Sequence, residues 1–394
     1  MNYQVFSFMF IIIISPILTH NSFTNSSLLD SSDNSANQRK EKFFPLFSVV
    51  RFANSECSGS NNLNGTCFTR RECSNYKGSS AGSCANGLGV CCTFKRECGT
   101  TTNVNNTYFT NPGYSYEGGE RCMITVYRCN SNICQLRIDF MELRLTQPNA
   151  SGVCDIDFLL ISGASSNVPR ICGENNNQHM YLDFKGDNPI TISVDTNTDY
   201  SFSRRWNLRI QQIACDSPWR APNGCLQYYK TASGTVTSFN YDLATNPRVL
   251  MPGQVPGTRQ MSYLNYGVCV RMAAGYCTIE WSQADSSSFS ISGDSGSIDT
   301  TDDSDYADSG ETCDHNFVIV PNPSTVTGVR YNTDRFCGNS FQTKQSSTKP
   351  FVLSVITNPD PNENVESGPN DPPIIKDIGN RGFILKYRQL ACSV

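Results

Sequence analysis

The residues best placed to do chemistry in this 394-residue chain are its nineteen cysteines. Those from Cys98 to Cys392 fall in two stretches that copy one another. The first reads Cys154-Asp155-Ile156-Asp157-Phe158, then Arg170-Ile171-Cys172-Gly173, and closes on Gln211-Gln212-Ile213-Ala214-Cys215. The second reads Cys313-Asp314-His315-Asn316-Phe317, then Arg335-Phe336-Cys337-Gly338, and closes on Arg388-Gln389-Leu390-Ala391-Cys392. Cysteines at repeated landmarks mean a tandem module stapled by disulfides. A second candidate is nucleophilic: Gly293-Asp294-Ser295-Gly296-Ser297 offers a serine in a small-residue turn. A serine nucleophile needs a histidine base held by a carboxylate. His179 and His315 lie in different halves of the repeat, and neither forms such a set with Ser295. The turn therefore reads as a Gly/Ser/Asp-rich loop, and the chain as a non-enzyme. The two histidines read as ordinary surface or satisfied residues, not as zinc ligands.

The compartment decides how the cysteines behave. An apolar run from Val5 to Leu18 is too short to span a bilayer and suits a signal peptide over residues 1–20. With no second apolar run, the expectation is a secreted, extracellular chain with no membrane anchor. Disulfides persist there. Sequons at Asn25, Asn64, Asn105 and Asn149 are candidate glycosylation sites. The net charge of −4 and the lack of a basic stripe argue against nucleic acid as a partner. The acidic run from Asp299 to Asp314 reads as a solvated loop suited to a basic partner surface. Tyr306 inside it is a candidate for sulfation.

Residues 20 to about 42 are rich in Ser, Asn and Asp, and 21–56 are read as a flexible segment. Residues 57–92 hold six cysteines in too short a span for an adequate core, so three bridges must carry its stability. Over 98–215, apolar residues alternate in Cys134–Phe140 and in Ile190–Val194. Period-two runs bounded by Gly, Asn and Pro read as strands, and their spacing suggests an antiparallel sandwich. Residues 225–392 repeat that module. The expected fold is all-β: tandem antiparallel β-sandwiches preceded by a small disulfide-rich unit.

The small unit, ending Gly87-Leu88-Gly89-Val90-Cys91-Cys92, resembles the clip domain of arthropod secreted proteins. That resemblance implies the pairs Cys57–Cys91, Cys67–Cys84 and Cys73–Cys92. The next module resembles a CUB domain. The residues that carry this are Cys98-Gly99, Asn111-Pro112-Gly113-Tyr114 before Cys122, Cys154 with Asp157-Phe158, and Cys172-Gly173. It implies Cys98–Cys122, Cys154–Cys172 and, in the copy, Cys313–Cys337. The short gap adds Cys129–Cys134, with Cys269–Cys277 as its counterpart. The remaining cysteines are read as a Cys215–Cys225 clamp across the linker, with Cys392 free or bonded to another chain. The alternative is a Cys225–Cys392 bridge. The order of units is similar to a group of insect CUB-domain proteins.

Many CUB domains hold calcium on three carboxylates. Asp157 matches the middle ligand and Asp195 the last, while the first falls on or near Thr146. In the second module the matching positions are Asn316 and roughly Ile356, so calcium is expected in the first module only. Solvated loop carboxylates are the other reading of the same residues. The resemblance implies a non-catalytic extracellular adaptor that recognises a protein or a glycan. The alternatives are a regulator or docking partner of an extracellular clip-protease cascade, and a product of a CUB serine-protease gene lacking the protease domain.

Overall fold

A computed structural model describes residues 52–113, 118–244, 246–248, 258–291, 307–310, 313, 315–358 and 380–392. The expected signal peptide, Asn25, Ser295 and Tyr306 lie outside the described residues, as does most of the acidic run.

The small unit comprises β1 (Glu56–Ser58), β2 (Asn64–Phe68), α1 (Arg70–Asn75), β3 (Ser79–Cys84) and β4 (Gly89–Arg96). Thr69 starts the one short helix through a capping box with Glu72. The unit does not stand alone. Strand β4 pairs in parallel with β6 (Thr107–Thr110), so the sheet of the small unit continues into the first sandwich.

The first sandwich adds β5 (Thr100–Thr102), β7 (Arg121–Val126), β8 (Ile133–Arg144), β9 (Phe158–Ser162), β10 (His179–Asp183), β11 (Ile190–Asp195) and β12 (Arg205–Ala214). One sheet runs β6-β12-β8-β10 and the other β5-β7-β11-β9. The second sandwich comprises β13 (Cys225–Tyr229), β14 (Ser233–Thr237), β15 (Leu264–Val270), β16 (Tyr276–Gln283), β17 (Phe289–Ser290), β18 (Ala307–Ser309), β19 (Asn316–Ile319), β20 (Arg335–Gly338), β21 (Lys344–Ser346), β22 (Phe351–Thr357) and β23 (Gly382–Ala391). Its sheets run β13-β15-β22-β19-β20-β18 and β14-β23-β16-β21. Burial alternates residue by residue along β12 and β22, as a strand with one face on a core must. Trp206 and Trp281 are fully buried, one in each sandwich. The chain is thus all-β, with two antiparallel sandwiches in tandem after a small disulfide-rich unit.

Nine disulfides form, and their partners correct the sequence reading at the module ends. The pairs Cys57–Cys91, Cys67–Cys84, Cys73–Cys92, Cys98–Cys122, Cys154–Cys172 and Cys313–Cys337 are those the resemblances imply. The Cys129–Cys134 and Cys269–Cys277 clips do not form. Cys134 bonds Cys215, and Cys277 bonds Cys392. The reason is register. Ile133 faces Ala214 across β8 and β12, and Tyr276 faces Ala391 across β16 and β23. A bulge beside each of these pairs leaves Cys134 and Cys277 outside the ladder, and each lies 4.8 Å, Cα to Cα, from the cysteine that follows the partner strand, within bonding range. Cys225 pairs with Cys269 along the parallel β13–β15 edge, so neither the Cys215–Cys225 clamp nor a Cys225–Cys392 bridge exists. Cys392 is not free; the free thiol among the described residues is the exposed Cys129.

Candidate functional site

Asp157 and Asp195, the expected calcium ligands, are each engaged by an arginine. Both Asp157 and Arg204 are fully buried and paired, Nε to Oδ2 at 2.9 Å. The same carboxylate accepts the backbone N–H of Thr146 at 3.0 Å and of Asn197 at 3.3 Å. The Arg204 guanidinium donates onward to the carbonyls of Phe202, Asn197 and Tyr200. Gly118, at φ +99°, leaves the space; a Cβ there would lie 2.8 Å from the Arg204 Cζ. Asp195 is held separately, with Arg121 Nε 3.0 Å from both of its oxygens and the Ser193 hydroxyl donating to Oδ1. Calcium takes six to eight oxygen ligands. Here each carboxylate is committed to a guanidinium, so the residues do not fit that ion. In the second sandwich, Asn316 instead accepts the backbone N–H of Asn358 at 3.1 Å.

Three sequons lie among the described residues. Asn64, Asn105 and Asn149 are all half-buried. Asn105 Oδ1 accepts the Gln212 N–H, and Asn149 Nδ2 donates to Asp155.

The two sandwiches share one hydrophobic core that passes through Phe140, Phe239 and Tyr266. Polar contacts lock the same junction. Asn240 accepts and donates across it to Glu174, Asn175 and Gln147, and Arg248 pairs with Asp155. Gln135 holds Ala221 of the connecting segment through two hydrogen bonds, and Arg220 pairs with Asp183. His179 is buried at the centre. Its Nε2 accepts the Tyr228 N–H at 3.1 Å, and its ring packs edge-on against Tyr181 and Tyr229. Burial, reinforced by the nearby Arg137 guanidinium, pushes its pKa down to about 4. His315 is half-buried in the second sandwich, where its carbonyl accepts the Asn358 N–H at 3.2 Å.

The junction also carries a cleft of about 430 Å³, lined by Glu56, Arg137, Asp139, Arg209, Trp219 and Lys230. Register builds its floor: Arg209 lies opposite Asp139 across β12 and β8, and Arg137 lies opposite the buried Tyr181 across β8 and β10. Strand pairing builds its wall. Lys230 follows β13 and Arg271 follows β15, and these strands are parallel, so both cations leave at the same end. The Arg271 N–H donates to the Tyr229 carbonyl at 2.8 Å. Trp219 of the connecting segment stands between them, its N–H bound by the Ser217 hydroxyl, and it is 53% exposed. The Lys230 ammonium lies 4.7 Å from the Trp219 ring and 5.8 Å from the Tyr181 ring. Arg271 lies 5.7 Å from Trp219, and Arg137 lies 5.4 Å from Tyr181. All are cation–π contacts.

The second sandwich holds a different lone cation. Lys344 is 3% exposed under Tyr331, Phe336 and Phe341, and burial pushes its pKa down to about 8. It is closed to any partner. Sequence reasoning missed the cleft, because its residues are far apart in the chain and belong to no motif. One signal was available: Trp219, a large aromatic in a segment read as a mere linker.

Residues 222–390 match the family model described as the animal CUB domain. Comparison with curated proteins finds no match. Among solved structures, the CUB1-EGF-CUB2 domains of rat MASP-1 align at 12% identity, covering 73% of this chain and 99% of that one, with a TM-score of 0.24. The equivalent domain of human MASP-1/3 aligns at 13%, covering 72% and 98%, with a TM-score of 0.23. The extracellular region of zebrafish Gpr126/Adgrg6 aligns at 12%, covering 76% and 37%, with a TM-score of 0.25.

Proposed function

We propose that this chain is a secreted, non-catalytic adaptor, and that its partner docks across the junction of the two sandwiches. The observation that carries this is the cleft. It draws Arg137 and Arg209 from one sandwich, Trp219 from the connector and Lys230 from the other, with Arg271 flanking it beside Trp219. A surface assembled from three segments needs a rigid junction, and the shared core and the Asn240 and His179 contacts provide one. The animal CUB match and the nine disulfides support an extracellular protein-binding role. No helix among the described residues is long and apolar enough to cross a membrane. The small unit shares a sheet with the first sandwich, which favours one recognition body over a clip unit that docks a protease by itself.

The test is affinity capture from extracellular fluid with the intact disulfide-bonded chain, run beside the Lys230→Glu/Arg271→Glu variant. The expected result is a partner retained by the native chain and lost by the variant, with equal melting of both. Equal capture by both would refute docking at the junction.

A further inference from the structure

Two cations at the cleft, Lys230 and the flanking Arg271, are in no salt bridge among the described residues. Arg137 pairs with Asp139 at 2.7 Å, and Arg209 pairs with Glu56 at 2.5 Å. Among the described residues neither Lys230 nor Arg271 has a carboxylate within salt-bridge distance, and their contacts are with aromatic rings. The cleft lining thus sets three cations against two carboxylates, with Arg271 a fourth cation beside Trp219, in a chain whose net charge is −4. This local excess runs against the whole molecule. It has a cost: Lys230 is half-buried, and burial with the neighbouring Arg137 lowers its pKa, an effect that Asp139 offsets only in part. An anion seated there would relieve both.

Cations and rings also alternate in contact. Reading along the ladder gives Arg137, Tyr181, Lys230, Trp219 and Arg271, with each cation within 6 Å of a ring. The rings hold the cations in place without neutralising them, so the charges stay fixed and spaced. A single small anion would use one of them. A ligand with anionic groups repeated along its length would use several at once.

We propose that this ladder is a binding track for a sulfated polysaccharide. The inference deepens the docking reading above and rests on it. The lining of the cleft favours a glycan over the other polyanions. An acidic peptide would seek an open strand edge for its backbone, but the β10 edge is covered by β13, tied there by the His179–Tyr228 contact. A single-stranded nucleic acid would seek several open aromatic faces. Trp219 is the exposed ring here, while Tyr181 is buried at 3%. What the cleft offers besides charge is the amides of Asn105 and Gln211 and the hydroxyl of Ser217, which suit sugar hydroxyls and sulfate oxygens; the Gln212 amide is already committed to Cys129 and Tyr127.

The experiment uses the full secreted chain on three immobilised probes: heparin, the same polymer with its sulfates removed and its carboxylates kept, and polyglutamate. Three proteins are compared: the native chain, Lys230→Glu/Arg271→Glu, and Arg70→Glu/Arg71→Glu. The last pair makes the same charge change on exposed residues of α1. The expected result is saturable, salt-sensitive binding of the native chain to heparin, and at least about tenfold weaker binding to both other probes. Lys230→Glu/Arg271→Glu should weaken heparin binding by at least about tenfold, while Arg70→Glu/Arg71→Glu leaves it unchanged. No binding to heparin, or an equal loss in both variants, overturns the proposal. Equal binding to polyglutamate also overturns it, in favour of an acidic protein partner. If heparin fails while the junction variant still loses the captured partner, the glycan is wrong and the docking site stands. If neither responds to the variant, both readings fall.

Discussion

The buried pair Asp157–Arg204 and the cation ladder of Lys230 and Arg271 use the same chemistry to opposite ends. In the first, every charge has an opposite charge and both side chains are fully buried. In the second, the cations rest on rings, lack carboxylates and reach solvent. A satisfied buried charge has nothing left to offer a partner, so it acts on stability. A cation held in place but not neutralised contributes little to stability and remains available for recognition. Lys344 completes the contrast: it has no carboxylate, but at 3% exposure it is closed to any ligand.

Removing one partner of the buried pair gives the sharpest test of that contrast. Arg204→Gln should cost about 3–5 kcal/mol, because it leaves the Asp157 carboxylate buried and uncompensated. Lys230→Glu/Arg271→Glu should shift stability by no more than about 0.5 kcal/mol. Denaturant unfolding of the two variants beside the native chain measures both. Comparable losses would erase the distinction between a structural charge and a recognition charge.

The junction between these regions should respond to pH. The pKa of His179 is about 4 in the folded chain against 6.5 for the free group. The unfolded chain therefore takes up the proton first as pH falls. The contribution of His179 is complete above about pH 6.5 and is lost progressively down to about pH 4. The whole loss is on the order of 3 kcal/mol. Unfolding of the native chain and of His179→Gln between pH 7 and about pH 4.5 checks it; the variant curve should be flatter. Equal slopes would show that the junction does not depend on a neutral imidazole.

A smaller effect is expected at Cys129. As the exposed free thiol among the described residues, it should react with a maleimide without unfolding, and peptide mapping should place the label there. Cys129→Ser should change stability by no more than about 0.5 kcal/mol. A label found instead on Cys392 would reverse the assignment of the Cys277–Cys392 bridge.

The smallest effect is a null. With Arg204 and Arg121 on the two carboxylates, calcium and chelator should give the same melting temperature. A rise with calcium that Asp157→Asn abolishes would restore the metal reading.

What the sequence by itself determined was local or repeated. Alternating apolar residues in Cys134–Phe140 and Ile190–Val194 fixed which face of each strand is buried, because strand side chains repeat every two residues. Six cysteines in residues 57–92 marked a unit too small to hold itself by a core. The repeated Cys154–Cys172 and Cys313–Cys337 landmarks identified two copies of one module. Only the tertiary structure decided the rest. Arg204 is 47 positions from Asp157, and nothing in the local sequence announces that its guanidinium will fill the place expected of a cation. Cys134 and Cys215 are 81 positions apart and meet only because β8 and β12 pair in a definite register. Trp219, Lys230 and Arg271 converge because β13 and β15 run parallel and the connector is pinned to Gln135. Such convergence depends on register and on packing between sheets, and residue type and spacing along the chain do not encode either in readable form.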